Sequence, residues 1–314
     1  MPITHGFAQA NGIRMHYAEA GTGPLVLLLH GFPELWHAWR HQLAPLAAAG
    51  CRAVAPDLRG YGQTECPEPL EAYDIFQLAG DLVGLVHALC ESRAIVVGHD
   101  WGAWIAAHLA LLRPDIFRGL VLLSVPYVPR RTVNQTQWEQ QTFPGQVFYQ
   151  AGLRSPMADQ YLKHDVRASL LRGLYSLSAE AGPEERFRPA RAPGPPSGAP
   201  PARGPSWIAE GDIDYLAGEF QRTGFTGGLN CYRNMDRNWA LTPFLDGARI
   251  HQPSLFVAGE QDPVLEFLQP EFAALQQNMP NLTKKVLLPA TGHWTQQERP
   301  GEVNRLLLEF LAGL

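Results

Sequence analysis

Asp100 stands in "GHDWGAW", residues 98–104, with a glycine two positions away on each side. That is the rhythm of a nucleophile elbow: a strand ends, a sharp turn pushes one side chain outward, and a helix begins. Gly98 and Gly102 leave room where strand and helix crowd together. The apical side chain is a carboxylate, not a hydroxyl, and this decides the chemistry. A serine attacking a saturated carbon would form an ether, which goes no further. A carboxylate attacking the same carbon forms an ester, and water can cleave that ester at its carbonyl carbon. The competing reading is an ordinary strand-to-helix turn with a capping aspartate.

Two later residues favour the nucleophile. Asp262 in "VAGEQDPVL" follows one apolar run, and His293 in "LLPATGHWTQQERP" follows the last one. Nucleophile, acid, histidine is the chain order of α/β-hydrolases. Each residue falls at the C-terminal end of a predicted strand, where open α/β sheets bind ligands. Alone, Asp262 could cap a helix through Asp-Pro, and His293 could be a solvated loop residue. Together they read as a general base for water and the carboxylate that holds its tautomer. The "HGFP" loop offers the main-chain N–H of Phe32, and Trp101 offers its own. These two donors form an oxyanion hole for a tetrahedral centre on Asp100. Two leaving groups fit: an epoxide oxygen, which needs an acid, or a halide, which needs N–H donors.

The elements that must position these residues alternate along the chain. Strands are predicted at "IRMHYAEAG", "PLVLLLHG", "CRAVAPD", "AIVVGHD", "GLVLLSV", "PSLFVAGEQD" and "KKVLLPATG". Most are continuous apolar runs, as in a parallel sheet covered on both faces. "YDIFQLAGDLVGLVHALC" places Ile75, Leu78, Leu82, Leu85, Val86 and Leu89 on one helical face. Helices are also expected after the elbow, up to Pro114, and at the C-terminus, with Val303, Leu306, Leu307, Phe310 and Leu311 inward. The fold class is α/β, a mostly parallel doubly wound sheet. The alternation stops at Pro126. Residues 1–129 and 242–314 are expected to form the sheet domain and 130–241 an inserted helical cap. Within the cap, 182–206 is crowded with proline and glycine and is expected to be a mobile loop without a regular element.

Composition narrows the partners. The 314 residues carry a net charge of −5 with no basic stripe, which argues against nucleic acid and anionic membranes. No signal-like N-terminus and no span of about 18 apolar residues are visible. Cys51, Cys66, Cys90 and Cys231 are scattered, as free thiols of a cytoplasmic protein would be. His37 and His41 lie four apart but lack a third ligand, so no metal is expected.

"GHDWGAW", "HGFPELWHAWRHQL", "DLRGYGQT", "FTGGLNCYRNMDRNW", "AGEQDPVL" and "TGHWTQQERPGEV" together resemble soluble epoxide hydrolases of the α/β-hydrolase fold, the bacterial members above all. The resemblance implies Asp100 as nucleophile, Asp262 and His293 as the water-activating pair, and two cap tyrosines as ring-opening acids. It places the first at Tyr232. It places the second at Tyr149, in "FPGQVFYQAGLRSPM", although the residues that follow depart from the family's Tyr-Phe-Gln-Glu-Pro-Gly; Tyr161 is the alternative. Phe32, Pro33, Trp36, Trp101, Gln150 and Trp294 are expected to contact an apolar epoxide. Water is the second substrate, no cofactor is implied, and the working unit is a monomer or homodimer. A haloalkane dehalogenase would share the aspartate elbow, and Trp101 could lend its indole to a halide. Its loop usually carries asparagine or glutamate where this chain has Phe32. A non-catalytic binding protein of the same fold would be expected to have lost part of the triad.

Overall fold

The computed structural model describes residues 2–188, 190–191, 201 and 203–314. The first half builds β1 (Thr4–Ala10), β2 (Ile13–Ala20), β3 (Leu25–Leu29), α1 (Arg40–Ala48), β4 (Arg52–Pro56), α2 (Ile75–Ala88), β5 (Ala94–His99), α3 (Trp101–Leu112) and β6 (Phe117–Leu123). A helical block follows: α4 (Gln135–Thr142), the short strand β7 (Val147–Phe148), α5 (Tyr149–Arg154), α6 (Met157–His164), α7 (Val166–Ser176), the short strand β8 (Ala190–Arg191), α8 (Glu210–Thr223), α9 (Thr226–Arg233) and α10 (Met235–Leu241). The chain then returns with β9 (Ser254–Gly259), α11 (Pro263–Phe267), α12 (Gln269–Ala273), α13 (Leu275–Asn278), β10 (Leu282–Leu288), α14 (Thr295–Glu298) and α15 (Pro300–Ala312).

Eight strands form one sheet in the order β1-β2-β4-β3-β5-β6-β9-β10. Pairing is antiparallel from β1 to β4 and parallel from there to β10. The continuous apolar runs explain the parallel half. Leu27 and Val96 face one core with α2 and α3, while Val26, Leu28 and Val97 face the other with α1 and α15. Burial on both faces leaves no polar position, so the alternation of a half-exposed strand is lost. Along α2 the six forecast residues are all buried. Asp74 caps that helix by accepting from the N–H groups of Phe76 and Gln77.

Three strands, β1, β7 and β8, differ from expectation. β1 went unpredicted because it is an edge strand with exposed residues, Phe7 among them. Ala190 and Arg191 pair antiparallel with Phe148 and Val147, inside the stretch expected to hold no regular element. Neither residue is a proline, so each keeps the N–H that a ladder needs. Of that forecast loop, residues 189, 192–200 and 202 lie outside the described residues.

Candidate active site

The elbow is made by steric exclusion. Asp100 follows β5 at φ 51° and ψ −118°, a left-handed conformation unfavourable for a side chain larger than hydrogen. A Cβ on Gly98 would lie 2.1 Å from the Gly102 carbonyl oxygen, and one on Gly102 2.1 Å from that of Leu29. A Cβ on Gly31 would strike the Asp100 side chain at 2.4 Å. The strand, the helix and the HGFP loop therefore meet only because these three positions are bare.

Asp100 does not cap α3 with its side chain. Its Oδ1 accepts from the Phe32 N–H at 2.9 Å, and its Oδ2 lies 3.5 Å from His293 Nε2. His293 Nδ1 in turn stands 3.0 and 3.1 Å from the two oxygens of Asp262. Asp262 has both of the roles weighed for it, because its Oδ1 also accepts from the Val264 N–H at the start of α11. Capping thus fixes the carboxylate that orients the imidazole. Trp101, whose N–H was expected to complete the oxyanion pair, opens α3 directly after Asp100.

Burial alone would lower the His293 pKa. The Asp262 charge and the hydrogen bonds to Asp100 and Asp262 outweigh it, raising His293 from 6.5 to about 10. Burial alone would likewise raise Asp100, but the hydrogen bond and charge of His293 hold it below the ordinary carboxylate value. The resting site is an imidazolium between two carboxylates. A raised histidine pKa stabilises the fold fully below its ordinary value, and that stabilisation is lost as pH rises through the folded value. The thermal midpoint should therefore fall as pH climbs from 6.5 toward about 10. The decline should flatten in Asp262→Asn, and equal slopes in both proteins would refute this charge assignment.

Both expected tyrosines lie near enough to Asp100 to feel its charge, and Tyr149 lines the cavity with it while Tyr232 does not. Gly227 packs on Gly60, where an added Cβ would come within 2.5 Å of that carbonyl, and Gly228 packs on Phe32 and Tyr61. Bare at both positions, α9 settles onto the sheet loops, and Tyr232 lies one turn beyond Gly228 on the same face. The Tyr232 ring meets Trp101 and Phe32 edge-on at 4.9 and 5.6 Å. Tyr149 opens α5 and lines the cavity together with Asp100. Burial raises both phenols well above 10, and the Asp100 charge raises each further. Tyr149 also raises Tyr232, so Tyr232 lies in the field of Tyr149 as well as that of Asp100. A hydrogen bond with Trp101 pulls Tyr232 back. Tyr161, on α6, is 43% exposed.

A cavity of about 90 Å³ opens over Asp100, with walls that include Trp101, Trp104, Trp138, Met235 and Phe267. Of the six expected contact residues, Trp101 and Gln150 line it. Phe32 reaches Asp100 through its main-chain N–H, and its ring is taken up by Phe225 and Tyr232; Pro33 follows it in the HGFP loop and does not line the cavity. Two placements need correcting. Trp36 is buried and donates its indole N–H to Tyr215. Trp294 is fully buried behind His293 and donates to the Leu174 carbonyl. Their neighbours in sequence reach the site, but the side chains themselves turn into the core. Trp104 was missed although it lies one turn beyond Trp101 on α3.

A buried network beneath the site was also missed. Glu34 Oε2 accepts from the Gly31 N–H at 2.9 Å and from His99 Nδ1 at 2.7 Å. Its Oε1 accepts from Gln296 and Gln297, and His99 Nε2 donates to the His293 carbonyl. One carboxylate thus ties the HGFP loop, the elbow strand and the histidine loop together. His37 pairs with Asp212 at 2.7 Å. Among the described residues no group of three or more His, Cys, Asp or Glu side chains could hold a metal. None of the described helices is long and apolar enough to cross a membrane.

Comparison with known proteins agrees with this fold. Residues 24–300 match the model of a family described as the alpha/beta hydrolase fold. The chain is 45% identical to epoxide hydrolase A of Mycobacterium tuberculosis, over 99% of this chain and 98% of that protein. It is 40% identical to epoxide hydrolase 3 of Siraitia grosvenorii, over 98% of both. Among solved structures, an epoxide hydrolase from an endophytic Streptomyces superposes with a TM-score of 0.94 at 43% identity, covering 99% of this chain and 96% of that one. Epoxide hydrolase A from Mycobacterium thermoresistibile gives 0.93 at 42% identity, covering 100% and 99%.

Proposed function

The chain belongs to the epoxide hydrolases of the α/β-hydrolase fold, and on that premise we propose how its own residues carry the reaction. Asp100 attacks a ring carbon of the epoxide. The ring C–O bond breaks as the ester bond forms, and Tyr149 and Tyr232 supply a proton to the departing oxygen. The raised tyrosines suit this task, because they stay protonated at neutral pH and approach the basicity of the alkoxide they serve.

Esterification then removes the charge of Asp100. His293 loses one of the two carboxylates that raise its pKa, and its proton passes to the oxygen side through the tyrosines. Neutral His293, still held by Asp262, takes a proton from water as that water attacks the Asp100 carbonyl. The oxyanion forms where the N–H groups of Phe32 and Trp101 converge. On collapse the C–O bond of the ester breaks and His293 gives the proton it took from water to the departing diol oxygen; the acid proton left on Asp100 then passes to His293, so the net reaction adds one water. The observation that best supports this reading is His293, set between Asp100 Oδ2 at 3.5 Å and Asp262 Oδ2 at 3.0 Å.

In this reading residues 130–241 form a cap that closes over a sheet domain made of 1–129 and 242–314. The cap brings both tyrosines to the epoxide, and its apolar walls keep bulk water out. The substrate is a small apolar epoxide. The enzyme works in the reducing cytoplasm, which suits its four free cysteines.

Oxygen labelling tests the ester route. With enzyme in excess over styrene oxide in heavy-oxygen water, the first turnover should give largely unlabelled diol and a labelled Asp100 peptide. A second turnover should carry that label into product. First-turnover diol fully labelled from solvent, with Asp100 unlabelled, would make Asp100 a general base instead.

A further inference from the structure

Three cavity-lining side chains, Arg131, Gln135 and Gln150, lead to the Tyr149 hydroxyl. Arg131 Nη2 is anchored on Glu271 at 2.7 Å, and its Nη1 donates to Gln135 Oε1 at 3.0 Å. Gln135 Nε2 donates to Gln150 Oε1 at 2.9 Å and to Glu139 Oε1 at 3.1 Å. Gln150 Nε2 donates to Tyr149 Oη at 3.0 Å. The direction of this chain is dictated by its ends. A guanidinium has only donors, so Gln135 must present its oxygen to Arg131 and its NH₂ to Gln150. Glu139 has only acceptors and enforces the same orientation. Gln150 must then accept with its oxygen and turn its own NH₂ to Tyr149.

We propose that Gln150 is a positioning residue for ring opening, which aims the Tyr149 proton at the epoxide oxygen and stabilises the phenolate left when that proton departs. The proposal rests on the reading of Tyr149 as a ring-opening acid. The amide nitrogen of Gln150 has no lone pair with which to accept, so the Tyr149 O–H cannot turn back toward it. The proton points elsewhere, and what Tyr149 faces is the cavity above Asp100. When it moves to the alkoxide, the N–H bond from Gln150 becomes charge-assisted and strengthens, so the interaction favours the transition state over the ground state. The same bond opposes the raising of the phenol by burial and by Asp100. Tyr232 has a counterpart in Trp101, whose hydrogen bond lowers that phenol in the same sense. This role differs from a contact with substrate, which would act on binding.

Rapid-quench single turnovers, scoring the Asp100 ester by mass, test the proposal. Gln150→Leu should slow ester formation about tenfold with the epoxide dissociation constant unchanged. Ester hydrolysis should keep its wild-type rate, which also shows that the variant is folded. Gln150→Glu, of the same shape, should be slower still, because its carboxylate accepts the Tyr149 proton and turns it out of the cavity. In a Tyr149→Phe background Gln150→Leu should have no further effect. An unchanged rate of ester formation in Gln150→Leu, a rise in dissociation constant alone, or an equal loss in the Tyr149→Phe background would each overturn the role. Slow Tyr149→Phe beside an unaffected Gln150→Leu would overturn this proposal only. Tyr149→Phe at wild-type speed would remove the acid assignment and this proposal with it.

Discussion

His293→Gln should stop turnover after the first bond is made and leave the enzyme carrying its substrate. Asp100 keeps its carboxylate and the Phe32 N–H at 2.9 Å, so it can still attack the ring carbon. The tyrosines that serve the departing oxygen belong to α5 and α9, outside the histidine loop. What is lost is the base for water, a contribution of about 10²–10⁴-fold. Steady-state diol formation should fall by that factor while one equivalent of ester builds up. Intact-mass measurement after adding styrene oxide should show the protein heavier by one epoxide, and digestion should map the adduct to the Asp100 peptide. An unmodified variant with ordinary turnover would contradict the assignment. Glutamine is the apt replacement because the histidine loop is also held from outside the ring. The His293 carbonyl accepts from His99 and Ser124, and the His293 N–H reaches the Leu177 carbonyl at 2.9 Å. The loop should therefore keep its place when the imidazole is removed.

The elbow was readable in sequence because its geometry leaves few residue choices. Gly98 and Gly102 are bare for reasons of contact at 2.1 Å, and such a contact shows in sequence as a spacing. The chain order of Asp100, Asp262 and His293 was readable because each follows a strand whose apolar run is local. The cavity walls were not. Trp36 and Trp294 were judged by nearness in sequence, yet both side chains turn into the core to bond Tyr215 and Leu174. Trp138, Met235 and Phe267 reach the cavity from α4, α10 and α11. Their placement follows from how helices cross the sheet, which no local pattern records. Glu34 illustrates the same limit in the core. It stands inside a recognised loop, but its partners Gln296 and Gln297 are 262 and 263 residues away. The edge strand β1 was silent because exposed positions carry little hydrophobic pattern.

Removing both phenolic hydroxyls should nearly abolish ring opening. The oxygen leaving the ring would otherwise depart as a bare alkoxide inside an apolar cavity, where an unpaired charge is strongly disfavoured. Tyr149→Phe or Tyr232→Phe alone should each slow ester formation by about 10²-fold, the lower range for one positioned acid. The double variant should lose about 10⁴-fold or more, and the losses need not add because both groups act on one oxygen. Ester should not accumulate in any of these variants, since the slow step now precedes it; this separates them from His293→Gln, where ester builds up. The phenylalanine rings keep the packing of Tyr149 against Phe148 and Phe267 and of Tyr232 against Trp101 and Phe32. A loss of rate would then report the hydroxyls and not a disordered cap. Tyr161→Phe serves as the control, since that side chain is 43% exposed and should leave ester formation unchanged. A severe loss in Tyr161→Phe beside an intact Tyr149→Phe would move the second acid to Tyr161. It would also require α6 to turn inward on binding substrate, because an acid must come within hydrogen-bond reach of the oxygen it protonates.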